Sequence, residues 1–480
     1  MDSFATIQSL REKLQKKELS PQEVVAHYQA RIKKYNPQLN AVIEQFDDAK
    51  VPDNLDLSAP LAGIPTVIKD NICQKDRITS AGSKILANYK APYDATVIER
   101  IKEAGSISLG RTNMDEFAMG GSGEFSAYGP TKNPWDLTRV PGGSGSGSAA
   151  AVAAGLAPYS LSSETGGSIR QPAAFCNLVG LYPTYGLNSR YGALAFASST
   201  DQIGPKTRTV YDNALVQSVI SGNDLRDSTS TQQPAKDYTK NLNGKLPQSL
   251  TIGVIQEAID TDGLDPQIRK SFVDSIKQLE SLGAKIKYLS MPNLKYGIAV
   301  YFVISRAEAA SNLSRYDGSI YGMRNKEAHE LFDMYLRTRQ EGFGIEVKRR
   351  ILVGNYVLSA GHQDAFYKKS NQVRALIRAE FQDAFKNVDL LVSPTTSTLP
   401  FKLGETLNDP LAMYMTDFYT VPTCVIGTPG LSLPCGFSQE GLPIGFQFLG
   451  PALSEELIYQ AAYAFEQSTD YHKKVPAGYE

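Results

Sequence analysis

Two serines, Ser144 and Ser168, stand 24 positions apart, and each follows directly on two glycines. The first lies in Pro141-Gly-Gly-Ser144-Gly-Ser-Gly-Ser148, the second in Glu164-Thr-Gly-Gly-Ser168-Ile-Arg-Gln-Pro172. Glycine turns tightly and lets other groups approach the backbone closely. Turns of this kind can aim several backbone N–H groups at one point, the arrangement that stabilises an oxyanion in acyl transfer. A serine hydroxyl is a weak nucleophile and needs a base within hydrogen-bond reach. No histidine is near either stretch. His27, His329, His362 and His472 lie in charged or polar surroundings and form no H-E-x-x-H metal motif. Lys69 is the alternative base. It ends the apolar run Ile64-Pro-Thr-Val-Ile68 and precedes Asp70-Asn71. A lysine desolvated at the end of a central strand has a lowered pKa and can act as a neutral base. Plainer readings stay open on local sequence. Gly-Gly-Ser168 could simply cap a helix over 169–179, Gly142–Ser148 could be a spacer, and Lys69 could snorkel out of a strand end. The spacer reading fits its context poorly, because the run joins Trp135-Asp-Leu137 to an alanine-rich helix. It also lacks the G-K-[ST] ending of a phosphate-binding loop.

The elements that must hold these residues alternate in type. The first sixty positions read as helical: Ser20-Pro-Gln-Glu23 has the form of a capping box, Val24, Val25, Tyr28 and Ile32 follow at helical spacing, and Asn36-Pro37 should stop the pattern. From Leu61 short apolar runs bounded by glycine and proline predict strands at 66–69, 106–110 and 159–163. The small residues of 148–157 predict a closely packed helix. A βαβ unit follows, with strands at 250–255 and 284–289 around a helix opened by Asp265-Pro266 and bearing Ile268, Phe272, Ile276 and Leu279 on one face. Leu390–Pro394 returns to the sheet. Strand, glycine turn and helix in alternation predict an α/β fold with a central mixed β-sheet. Positions 61–480 read as essentially one large domain, with a helical insertion at about 296–386 and a polar surface excursion at about 221–248.

Composition narrows the class of function. The chain has 480 residues, 42% hydrophobic, with a formal net charge of -1. That balance argues against a chain-wide footprint for nucleic acid or anionic membrane. Cys73, Cys176, Cys424 and Cys435 show no metal-ligand spacing and read as reduced thiols of a cytoplasmic protein. The amino terminus has no signal-peptide pattern. No stretch approaches the roughly 20 apolar residues of a membrane span.

Taken together, Gly63-Ile-Pro65 with Lys69-Asp-Asn71, Pro141-Gly-Gly-Ser144 and Thr165-Gly-Gly-Ser168-Ile-Arg-Gln-Pro-Ala173 resemble the amidase signature family. The resemblance implies the amidase signature fold, with helices on both faces of the mixed sheet. It also implies a Ser–cis-Ser–Lys triad: Ser168 as acylated nucleophile, Ser144 after a cis peptide as proton relay, Lys69 as base, and the amides of Thr165, Gly166, Gly167 and Ser168 as oxyanion hole. Further stretches are similar to one branch, the A subunits of tRNA-dependent amidotransferases. They are 113–120, 133–137, 198–205, 307–313, 342–351 and 409–414. The similarity runs from about residue 5 to 465 and is weakest at 222–250.

That branch implies a glutaminase. Glutamine would be hydrolysed through a glutamyl ester on Ser168. The ammonia would convert misacylated Glu-tRNA(Gln), or Asp-tRNA(Asn), or both, in a heterotrimer with B and C subunits. ATP and Mg²⁺ would be used by the B subunit, which would also hold most of the tRNA; this chain itself would need no cofactor, metal or membrane. Arg350 (or its neighbour Arg349) would take the glutamine carboxylate and Asp417 its ammonium, with Tyr301 beside them. Two positions depart from the family pattern. Gly145-Ser146 reverses the usual Ser-Gly order of Gly-Gly-Ser-Ser-Gly-Gly-Ser, and Glu164 stands where Asp is usual. A stand-alone amidase acting on a small or lipid amide shares the triad. An inactive partner-binding scaffold is the reading that Gly145 and Glu164 motivate.

Overall fold

The computed structural model describes residues 1–261, 263–407 and 409–480. Its strands are β1 (Val42–Gln45), β2 (Pro65–Lys69), β3 (Ile107–Thr112), β4 (Tyr159–Glu164), β5 (Val179–Tyr182), β6 (Gln202–Thr207), β7 (Thr251–Ile255), β8 (Lys285–Leu289), β9 (Leu390–Pro394), β10 (Gly430–Phe437) and β11 (Pro443–Leu449). They form one mixed sheet in the order β1-β3-β2-β4-β6-β5-β10-β11-β9-β7-β8. β2 runs parallel to both β3 and β4, β7 parallel to both β8 and β9, and the strands between these two parallel blocks pair antiparallel. The predicted strands at 66–69, 106–110, 159–163, 250–255, 284–289 and 390–394 correspond to β2, β3, β4, β7, β8 and β9.

Helices cover both faces of this sheet, as the alternation of β5 shows. Gly180 points to Ala173 in the Arg170–Phe175 helix, while Leu181 shares a core with Val210 and Ala214 of the Val210–Ile220 helix. Every residue of β2, β4 and β6 is buried. Among the described residues no helix is long and apolar enough to cross a membrane.

Three local expectations need correction. The Ser20 capping box forms, but the helix it opens runs from Pro21 through Pro37 to Leu39. Asn40 in the left-handed region ends it, and the Asn36 side chain accepts from the amides of Ala41 and Val42 beyond. The first sixty residues also supply a strand, β1, at the sheet edge. The helix after Ser168 spans only Arg170–Phe175, because Asn177 at φ 60 turns the chain back into β5. The helical stretch read over 296–386 holds Gly297–Asn312, Leu331–Gly342, Ile345–Leu358 and Lys369–Ala384.

Candidate active site

β2 and β4 are parallel neighbours at the middle of one sheet half, and their carboxyl ends deliver Lys69 and Ser163 side by side. Lys69 is fully buried. Its Nζ lies 2.8 Å from Ser144 Oγ, 2.9 Å from the Ser163 carbonyl and 3.1 Å from Ser163 Oγ. Asn71 Nδ2 donates to Ser163 Oγ at 2.8 Å and fixes that hydroxyl. Burial pulls the Lys69 pKa down to about 7, partly opposed by the charges of Asp115, Asp201 and Glu164. A lysine there is poised as a neutral base near neutral pH, already in hydrogen-bond contact with a serine hydroxyl.

The Ser144 turn is set by its glycines and by Gln171. Gly142 has φ 83, and the Gly143–Ser144 peptide is cis. The Gly143 amide donates to Gln171 Oε1 at 2.9 Å, while Gln171 Nε2 donates to the Gly121 carbonyl at 2.8 Å. The helix beginning at Ser146 follows at once and buries all its residues. The spacer reading of Gly142–Ser148 is therefore replaced by a fully buried turn.

Ser168 stands in the turn between β4 and the Arg170–Phe175 helix, close enough to the surface to keep 5% exposure. The amides of Thr165, Gly166, Gly167 and Ser168 donate to no carbonyl among the described residues. Four free donors before a serine suit a developing oxyanion. The next two amides are occupied: Ile169 and Arg170 donate to Glu164 Oε2 at 2.8 and 2.9 Å. The other carboxylate oxygen accepts from Arg170 Nε and Nη2 at 2.9 and 2.6 Å. Both residues are wholly buried. Glu164, at the family's usual Asp position, thus fits by reaching past the turn to a buried arginine. The helix-cap reading of Ser168 is not what the structure shows, since the helix begins without a side-chain cap.

Tyr301 and Asp417 close on the same turn. A Cβ on Gly166 would lie 2.7 Å from Tyr301 Cζ, and one on Gly167 would collide with Asp417 Oδ1. These glycines are required by close approach. Asp417 Oδ1 is buried and has no hydrogen-bond partner. Burial, reinforced by Glu164, raises the Asp417 pKa to about 8, while Arg350 and Arg170 act in the other direction. Arg350 and Arg349 are resolved by their helix faces. The Arg350 side chain is 4% exposed, its Nε 2.7 Å from Glu346 Oε1, and its guanidinium packs over Phe196 and Tyr414. Arg349 binds the other Glu346 oxygen from outside and is 40% exposed. Glu346 also accepts from Tyr414 at 2.7 Å.

Tyr301 and Asp417 thus contact the Ser168 turn, the Ser144 turn with its Lys69 partner meets it at Gly145, and Arg350 acts on Asp417 and Tyr301 through its charge. Sequence reading missed the residues that hold them: Ser163, Asn71, Gln171, Glu346 and Thr420, whose Oγ1 donates to the Gly166 carbonyl at 2.6 Å. Asn71, Gln171 and Glu346 lie within quoted motifs, yet nothing in the motifs distinguishes a positioning side chain from a packed one. Ser163 and Thr420 carry no local signal.

A buried lysine–serine pair beside a glycine-bounded serine and open backbone donors has the parts that acyl transfer without histidine requires. The chain belongs to the amidase family, whose model matches residues 23–459. At finer grain it is 49% identical over 484 residues to the A subunit of the glutamyl-tRNA(Gln) amidotransferase from Gloeobacter violaceus, covering 99% of this chain and 98% of that one. It is 50% identical to the protein of that name from Halothermothrix orenii, covering 98% of each. The solved structure of the glutamyl-tRNA(Gln) amidotransferase A subunit from Thermotoga maritima superposes with a TM-score of 0.84 at 38% identity, covering 98% of this chain and 96% of that one.

Proposed function

We propose that this chain is the glutamine-hydrolysing subunit of a tRNA-dependent amidotransferase. It supplies ammonia for converting Glu-tRNA(Gln) to Gln-tRNA(Gln) within a cytoplasmic heterotrimer with B and C subunits. The observation that carries this is a conjunction at the Ser168 turn: the turn of the 2.8 Å Lys69–Ser144 pair touches it through Gly145, and the unpartnered Asp417 oxygen closes on it at Gly167. Amide-cleaving groups and a seat for an α-amino acid share one turn. Whole-length similarity to A subunits supplies the tRNA half of the reading.

In this reading the α-ammonium of glutamine sits against Asp417, its α-carboxylate against Arg350, and Tyr301 flanks the chain. Ser168 Oγ bonds to the carboxamide carbon. Its proton passes to Ser144, whose own proton passes to neutral Lys69. The oxyanion forms in front of the amides of Thr165 to Ser168. The C–N bond then breaks, and the proton returns through Ser144 to the leaving ammonia. Water attacks the glutamyl ester by the same relay and releases glutamate. ATP and Mg²⁺ serve the B subunit, where the tRNA-bound glutamate is activated, and no step at Ser168 uses them.

The test is a paired assay on the complex purified with its native partners. Ser168→Ala is expected to abolish glutamine hydrolysis and glutamine-dependent Gln-tRNA formation while leaving ammonium-dependent formation intact. Turnover of simple amides by the isolated chain, indifferent to tRNA and ATP, would instead identify a stand-alone amidase.

A further inference from the structure

A second lysine is buried at this site, and the relay from Ser168 to Lys69 leaves it without a task. Lys206 is on β6, between β4 and β5, with none of its surface exposed. Its Nζ makes two hydrogen bonds, both to backbone carbonyls and both 3.3 Å long: Gly145 and Ser168. One carbonyl immediately follows the relay serine, and the other belongs to the nucleophile itself. Burial drives the amine well below its ordinary pKa, and the charge of Lys69 adds to this.

Gly145 has a matching geometry. A Cβ there would collide with Lys206 Nζ and Ser162 Oγ, and would lie 2.7 Å from the Ser168 carbonyl. The two turns are therefore in contact across Gly145, where the first has no side chain. The amine fills the gap. Burying a lysine amine on two long hydrogen bonds is poor stabilisation, since desolvation of the group outweighs what such bonds return.

From this contact we infer that Lys206 is a positioning residue: it ties the Ser144 turn to the Ser168 turn across Gly145 and so sets the relay serine against the nucleophile. The inference rests on the glutaminase reading of the site. Displacing reacting groups by about 1 Å can cost on the order of 10²-fold in rate.

The test uses the whole complex with glutamine. Methionine follows the lysine stem but ends short of the amine, so Lys206→Met removes the tie and keeps the packing. It is expected to lower kcat for glutamine hydrolysis by about 10–100-fold, with KM within about twofold of the parent, ammonium-dependent transamidation unchanged and Tm unchanged or raised. Gly145→Ser is expected to lower kcat comparably. An unaltered kcat in Lys206→Met would overturn the inference. So would a fall in Tm and ammonium-dependent activity together. Ser168→Ala run alongside separates the failures: retained glutaminase there overturns the reading of the site itself, whereas its loss with full activity in Lys206→Met overturns only the tie.

Discussion

The two sides of the pocket are prepared differently. On the sheet side, Lys69, Ser144, Ser163 and Asn71 are joined by hydrogen bonds of 2.8 to 3.1 Å, and Glu164 is saturated by Arg170 and two amides. On the helical side, Asp417 Oδ1 is buried without a partner, and so is Nε of the nearby Arg306. Arg306 packs against Tyr301, Phe302 and Tyr414 rather than against an acid, and burial lowers its pKa to about 10. The base and the relay serine are thus hydrogen-bonded before substrate arrives, although Asn71 Oδ1 is buried without a partner and the Thr165–Ser168 amides stay free for an oxyanion, while Asp417 and Arg306 have unspent hydrogen bonds. Preorganised chemistry costs no rearrangement at the moment of reaction. Unpaired recognition groups make a bound amino acid the partner that completes them.

That contrast orders the effects of mutation. The largest loss is expected on the sheet side: Ser168→Ala should lower glutamine kcat by about 10⁴-fold or more, as removal of a nucleophile does elsewhere. Lys69→Arg should cost about 10²–10⁴-fold in kcat at neutral pH, because arginine cannot give up its proton to become the base. Full activity in that variant would remove Lys69 from the relay. Glu164→Gln breaks a buried pair and leaves Arg170 uncompensated. A stability loss of about 3–5 kcal/mol is expected, read as a lower denaturant midpoint with unchanged slope. On the helical side, Arg350→Lys should raise KM for glutamine by about tenfold with a smaller change in kcat, through loss of the guanidinium fork. Arg349→Lys should change neither, and equal effects in the two would dissolve the distinction drawn from their exposure.

The pH dependence separates the same two sides. With Lys69 near 7, the protonated amine predominates below that pH and cannot serve as base, so kcat should fall about tenfold per unit on the acid side. Asp417, with its pKa raised to about 8, is protonated at neutral pH and must lose its proton to pair with an ammonium. KM should therefore drop by about fivefold between pH 7 and pH 8, below the range in which glutamine's own ammonium titrates. A KM flat over that range would contradict the assigned role of Asp417.

Much of this was legible in the chain. The strand end carrying Lys69 and the turns carrying Ser144 and Ser168 are marked by an apolar run and by glycine, which are local signals. What was not legible depends on packing between distant segments. Pro37 reads as a helix stop, yet the helix persists for two residues because Asn36 and Asn40 organise its exit. Arg350 and Arg349 are adjacent in sequence, and only the docking of their helix on Phe196 and Tyr414 separates them. Gly145 reads as a missing serine until Lys206, 61 positions away, is seen to fill its place.

The central claim is that Ser168, activated through Ser144 by Lys69, carries the glutamyl group. The most direct measurement is mass spectrometry of the complex quenched with acid during glutamine turnover. The account predicts a glutamyl adduct on the peptide containing Ser168, absent in Ser168→Ala. An adduct at another residue, or undiminished glutamine turnover in Ser168→Ala, would contradict it.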